Sequence, residues 1–231
     1  MQLKNQIVAL IALALVSLGA HAVTVSTIYL DDLPDNNHRV LTLTNESPVT
    51  QYIRVEISKW DGAQQIPIDT SSPRVVVATP STVTLLPAQK RSIRVTPLFE
   101  REEKEHQFIV NVKPVISPKE AALNKVKAVA AYGVRFLYRP LDPVVDFEFK
   151  RSADGIELVN SGNTSVLVLG AVACPDKKAN PSDCEPLKAG RVAPNSAKLV
   201  SSTPAMNQTL VVGEYQVAGK ISEKRTDSVG E

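Results

Sequence analysis

Short alternations of apolar and polar residues run through this chain, and no window sustains a helical period. From Tyr52 to Ile57, the apolar Ile53, Val55 and Ile57 alternate with Tyr52, Arg54 and Glu56. This is the period-2 pattern of a strand with one buried face. Leu41 and Leu43 share a face over Val40–Thr44, and Phe108–Val112 alternates again. Val23–Leu30, Arg74–Ala78, Thr82–Leu86 and Arg91–Val95 read as further strands. Between them, Asp31–Asn37, Asn45–Pro48, Trp60–Gly62 and Pro87–Lys90 carry turn residues. The nearest approach to a helix is Ser117–Lys127, which predicts one or two turns at most.

The most informative stretch is Lys125–Pro140. Val126, Ala128 and Ala130 alternate with Lys125, Lys127 and Val129, and Val134–Arg139 continues the strand until Pro140 stops it. Arg135 and Arg139 lie four apart, so one face of a strand carries both. Nothing within that strand neutralises them, and their partners must come from elsewhere. Pro140–Leu141–Asp142–Pro143 then reads as a stiff linker. Beyond it, Val144–Phe149, Ile156–Asn160, Ser165–Val172, Ala197–Val200 and Tyr215–Ile221 predict a smaller β-domain, with a strong turn at Asn160–Asn163. Ser222–Glu231 is a polar tail expected to fray.

With 16 prolines and few helix signals, the predicted class is all-β. The strand count up to Arg139 suits an immunoglobulin-like sandwich. The expected organisation is a signal peptide over 1–22, an N-terminal domain over 23–139, a linker over 140–143, and a C-terminal domain over 144–231. The signal is read from a Lys-bearing start, the apolar run Ile7–Leu18 and Ala20–His21–Ala22. That run is too short for a comfortable membrane span, so no membrane insertion is expected.

Lys+Arg number 26 against Asp+Glu 24, and no basic cluster is interleaved with aromatics, so nucleic acid is not an expected partner. In an exported chain, Cys174 and Cys184 read as one disulfide. A metal site would need further His or Cys, and none lies nearby. His38 and His106 sit at strand edges among charged residues and read as surface positions. No nucleophile motif or Gly-rich phosphate loop occurs. A non-enzyme without cofactor or metal is expected. The run Glu100–Glu105 reads as a solvated loop.

At Arg135–Phe136–Leu137–Tyr138–Arg139–Pro140 the chain resembles the periplasmic pilus chaperones of the chaperone–usher pathway. Thr79–Pro80–Ser81 leading through Val83 and Leu85 to Pro87, then Ile93–Arg94, also resembles that family, as do the Asn45 turn and Asn160–Ser161–Gly162–Asn163. Cys174, Cys184 and Trp60–Asp61–Gly62 look like the alternate class serving colonisation-factor and common-pilus fimbriae. The resemblance implies two immunoglobulin-like β-sandwich domains in an L or boomerang. It implies a chaperone that binds fimbrial subunits, stabilises them by donor-strand complementation and delivers them to an outer-membrane usher.

On that resemblance, Val126, Ala128 and Ala130 are the donor-strand side chains, unless they pack this domain's own core. Arg135 is the strand-end anchor for the subunit's terminal carboxylate. The family's other anchor is an arginine on the first strand. None stands between Val23 and Asp32, and Arg39 is the expected substitute. Arg139 is expected to bridge Glu105 and Glu214 across the hinge. Pairing of two free copies as a self-capping homodimer stays open. The alternative reading is a structural fimbrial component or another secreted two-domain β-sandwich binding protein. That reading would need a donor extension ahead of the first strand, and Val23–Thr27 is too short for one.

Overall fold

The computed structural model describes residues 23–34, 39–68, 73–116, 130–174, 183–188, 190–202, 210–217 and 220–226. The expected signal segment, His38, the Ser117–Lys127 candidate helix, Val126 and Ala128 lie outside them.

The first sandwich is built from Val23–Val25 (β1), Tyr29–Asp32 (β2), Val40–Asn45 (β3), Gln51–Trp60 (β4), Gln65–Pro67 (β5), Val76–Thr79 (β6), Thr82–Leu85 (β7), Lys90–Pro97 (β8), His106–Pro114 (β9) and Tyr132–Tyr138 (β10). One sheet runs β1-β3-β8-β6, and the other β2-β10-β9-β4-β5 with β7 also on β4. The period-2 pattern does what it predicts on β4. Gln51, Ile53 and Val55 face inward while Tyr52, Arg54 and Glu56 are exposed. Leu41, Leu43, Leu85, Ile93, Val95, Val110 and Phe136 are all sealed from water in one core between the sheets. Burial of such side chains contributes roughly 1.5–3 kcal/mol each.

Val23–Leu30 is not one strand. β1 pairs antiparallel with β3, whereas β2 pairs parallel with β10 in the opposite sheet. The crossing falls at polar Ser26–Thr27, whose groups find partners off the ladder. Ser26 N–H donates to Thr42 O, Thr42 N–H to Ser26 Oγ, and Tyr29 N–H to Thr27 Oγ1. The switch leaves β10 unevenly covered. On its β9 side every residue from Tyr132 to Tyr138 is paired. On the other side β2 begins only at Arg135, with Arg135 N–H donating to Ile28 O. Tyr132, Gly133 and Val134 have no strand there among the described residues.

The second sandwich comprises Phe147–Ser152 (β11), Gly155–Asn160 (β12), Val166–Cys174 (β13), Glu185–Leu187 (β14), Gly190–Val192 (β15), Ser196–Ser201 (β16), Leu210–Val217 (β17) and Lys220–Thr226 (β18). β11-β12-β16 form one sheet, and β14-β13-β17-β18 with β15 on β13 form the other. Phe147, Phe149, Leu158, Val166, Val192 and Val200 fill a separate core. The expected strand Tyr215–Ile221 is a hairpin instead, and the tail is paired through Thr226 rather than frayed from Ser222. Three-residue β14 and β15 are too short to leave a period in the sequence.

Cys174, at the end of β13, is bonded to Cys184. Opening a loop with sequence separation 10 releases chain entropy in the unfolded state. Cys174→Ser/Cys184→Ser should therefore lower stability by about 2–3 kcal/mol in urea denaturation. An unchanged midpoint would show that the bond adds nothing.

Candidate functional site

The two sandwiches meet at Arg139, just past the end of β10. Its side chain is 1% exposed. Nε and Nη2 donate to the two carboxylate oxygens of Asp31 at 2.6 and 2.9 Å, a bidentate pair. Nη1 donates to Glu105 Oε2 at 2.9 Å and, in the second domain, to Thr164 Oγ1 at 2.6 Å and Ser165 O at 2.9 Å. Burial opposes the charged guanidinium. The Asp31 hydrogen bonds and the charges of Glu105 and Asp31 outweigh it, and the pKa is raised.

Glu105 is equally enclosed, with a fully buried side chain. Its Oε2 also accepts from Ser165 N–H at 2.8 Å, Ser165 Oγ at 3.0 Å and Thr164 Oγ1 at 3.1 Å. The expected third member, Glu214, is not in this cluster. It is exposed on β17, opposite Gly170. The second domain answers Arg139 with hydroxyls and a carbonyl, which carry no competing charge.

Asn163, in the turn before Thr164, completes the joint. Its Nδ2 donates to Glu103 O and Asp142 O, its Oδ1 accepts from Val144 N–H, and its carbonyl accepts from Glu105 N–H. The Glu100–Glu105 run is solvated only in part: Glu100, Glu103 and Lys104 are exposed, whereas Glu105 is buried and Arg101 is half-buried. Arg101 donates to Asp32 O, Leu33 O and Arg139 O and stacks 4.6 Å over Tyr138.

Beside the joint opens a cleft of about 470 Å³. Arg135 lines it from β10 and Arg191 from β15, with Tyr29, Trp60, Gln107 and Lys198. No acidic residue lines it among the described residues. Arg135 lies 4.6 Å over Trp60 and donates to Gln107 Oε1 at 2.9 Å, while Gln107 Nε2 donates to Glu105 Oε1 at 2.6 Å. Arg191 lies 5.0 Å over Tyr29 and donates to Ser165 Oγ at 3.0 Å. Burial lowers the pKa of both arginines.

Arg39 does not join Arg135. Its Nε donates to buried Asp32 at 2.7 Å, and its guanidinium lies toward Tyr138. The end of the sandwich is the one expected, but the side chain is drawn to a carboxylate outside the cleft. Ala130 is exposed and precedes β10, outside any strand. His106 is buried rather than on the surface, edge-on to Phe99 and 3.1 Å from Glu102 Oε2. Arg191 went unpredicted because a three-residue strand shows no alternation to place it.

Two β-sandwiches, joined through buried charges beside a cationic cleft, define a two-domain binding protein of the immunoglobulin-like class. Residues 22–143 match the family model of the pili and flagellar-assembly chaperone, PapD N-terminal domain, and the chain belongs to that family. No curated protein matches by sequence. Among solved structures, the class 5 fimbriae chaperone CfaA is 18% identical with a TM-score of 0.68, covering 90% of this chain and 100% of its own. The E. coli chaperone DraB is 16% identical with a TM-score of 0.59, covering 90% and 98%. A CsuC–CsuE chaperone–tip subunit complex of archaic Csu pili from Acinetobacter baumannii matches at 13% and 0.57, covering 88% and 97%. At these identities the likeness is one of fold.

Two outcomes follow. Glu105→Ala strands part of a buried guanidinium and should cost about 3–5 kcal/mol in denaturant. It should also split calorimetric unfolding into two transitions; one transition at wild-type stability would contradict the hub role. His106 has a pKa lowered from 6.5, first by burial, so folding favours the neutral ring. Its contribution is full above the unfolded pKa and is lost as pH falls through the depressed folded value. His106→Gln should flatten the stability slope between about pH 7 and 5. An unchanged slope would assign it to other groups.

Proposed function

We propose that the chain is a periplasmic chaperone of the chaperone–usher pathway, of the alternate class. It binds fimbrial subunits, completes their unfinished sheets with a strand of its own and hands them to an outer-membrane usher. The observation that carries this reading is the half-covered edge of β10. Among the described residues, Tyr132–Val134 have no strand on the β2 side, and an added strand would find its hydrogen bonds there. Ile28 and Tyr29 are exposed apolar neighbours where β2 takes over. At that junction stands Arg135, which pairs with no carboxylate among the described residues.

An incoming strand that ends at the junction brings its terminal carboxylate to a guanidinium that grips such a group bidentately. Val126, Ala128 and Ala130 remain the side chains proposed to enter the subunit's groove. The same edge would join two free copies as a self-capping homodimer, since uncovered edges pair readily.

Arg135→Ala and Arg135→Glu should abolish co-purification of a co-expressed fimbrial subunit, with circular dichroism and thermal midpoint close to wild type. Normal subunit protection by Arg135→Glu would remove Arg135 from the anchor.

A further inference from the structure

We propose that the second cation for the chain end is Arg191, so that the carboxylate is held between one guanidinium from each domain. This rests on the carboxylate-anchoring reading above and adds the residue that the first strand lacks. The first-strand residue in register with Arg135 is Tyr29. Its ring is the platform over which Arg191 lies at 5.0 Å, with 39% of the tyrosine still exposed. The β2 position facing Arg135 thus presents a cation, but the cation belongs to β15.

Three observations support an anion-accepting role. Arg135 and Arg191 line one cleft, Lys198 is a third cation in it, and no acid does so. Arg191 Nε is buried and has no hydrogen-bond partner, although guanidinium donors are normally satisfied. Glu105 is the nearest buried carboxylate on both hydrogen-bond paths, but it is already occupied. It accepts from Arg139, Thr164, Ser165 and Gln107, and reaches Arg135 only through Gln107 and Arg191 only through Ser165.

The position of Arg191 is itself held. Asn160 Nδ2 donates to Val192 O and Ala193 O, pinning the end of β15 against the Asn160–Thr164 turn. Val192 is buried in the second core. Arg191 is therefore set on a strand rather than a loose loop, which is what a geometrically demanding carboxylate grip requires. Because Arg135 and Arg191 sit on different domains, the bound chain end ties the two together.

Trp60 is the chain's one tryptophan and it lines this cleft, so its fluorescence reports occupancy directly. The full two-domain chain would be titrated with acetyl-Val-Thr-Val-Thr-Tyr bearing a free carboxylate, and with the same peptide as its C-terminal amide. Wild type should prefer the acid. Arg191→Gln should weaken the acid by about tenfold or more while leaving the amide unchanged, since a charged hydrogen-bond pair is lost.

Arg191→Lys keeps the charge and should weaken the acid less; it is the variant read if Arg191→Gln does not fold. Arg39→Gln should match wild type. Loss with Arg135→Gln but not Arg191→Gln overturns this inference and leaves the anchor at Arg135 standing. Equal loss of acid and amide in Arg191→Gln assigns it a packing role and also overturns the inference. No preference for the acid in wild type overturns both readings.

Discussion

A single carboxylate, that of Glu105, sits where the two sandwiches touch, with no water in reach of its side chain. Removing such a charge from water costs several kcal/mol unless donors replace the solvent. Here they come from both sides of the joint. Arg139 and Gln107 belong to the first domain; Thr164 and Ser165 belong to the second. Pulling the domains apart would strip Glu105 of its Thr164 and Ser165 donors and Arg139 of its two acceptors in the second domain. The orientation of the domains is therefore tied to the hydrogen bonds that converge on Glu105 and Arg139 from both sides.

The same arrangement partitions the charges. Arg139 and Arg101 are spent within the protein, the first on Asp31 and Glu105 and the second on Asp32 and backbone carbonyls. Among the described residues, Arg135 and Arg191 donate to neutral acceptors, an amide and a hydroxyl. Burial pushes both pKa values down, helped at Arg191 by the charge of Arg139, and outweighs the opposing pull of Glu105 on both and of Asp31 on Arg191. An electropositive cleft beside a neutralised joint is the result, and four arginines of one composition divide into structural and available pairs.

Much of this was legible along the chain. Alternation exposed β4, β9 and the core positions Leu41, Leu43, Ile53 and Val55, because one buried face imposes period 2. Arg135 and Arg139 stood out as charges on an apolar strand, and Glu105 could be placed opposite by antiparallel pairing. What stayed hidden were contacts whose partners are remote in sequence and unmarked by charge. Thr164 and Ser165 look like ordinary turn residues, and on charge alone a carboxylate such as Glu214 is the better match for an arginine. Arg39 was placed at the correct end, but its choice between cleft and Asp32 depends on side-chain direction. The split of the first strand came from two short polar residues, Ser26 and Thr27, whose hydroxyl hydrogen bonds compete with the ladder.

The sheet switch at Ser26–Thr27 has a geometric corollary. Among the described residues, β2 covers β10 only from Arg135 onward and ends the uncovered edge at Val134. On the proposed reading, a guest strand added beside Tyr132–Val134 would halt against Ile28 and Tyr29, and its alignment would be counted backward from its own last residue. A sheet period of two means that one residue more or less would reverse which guest side chains face the lobe. On that reading, the length of the guest's terminus would also fix its orientation.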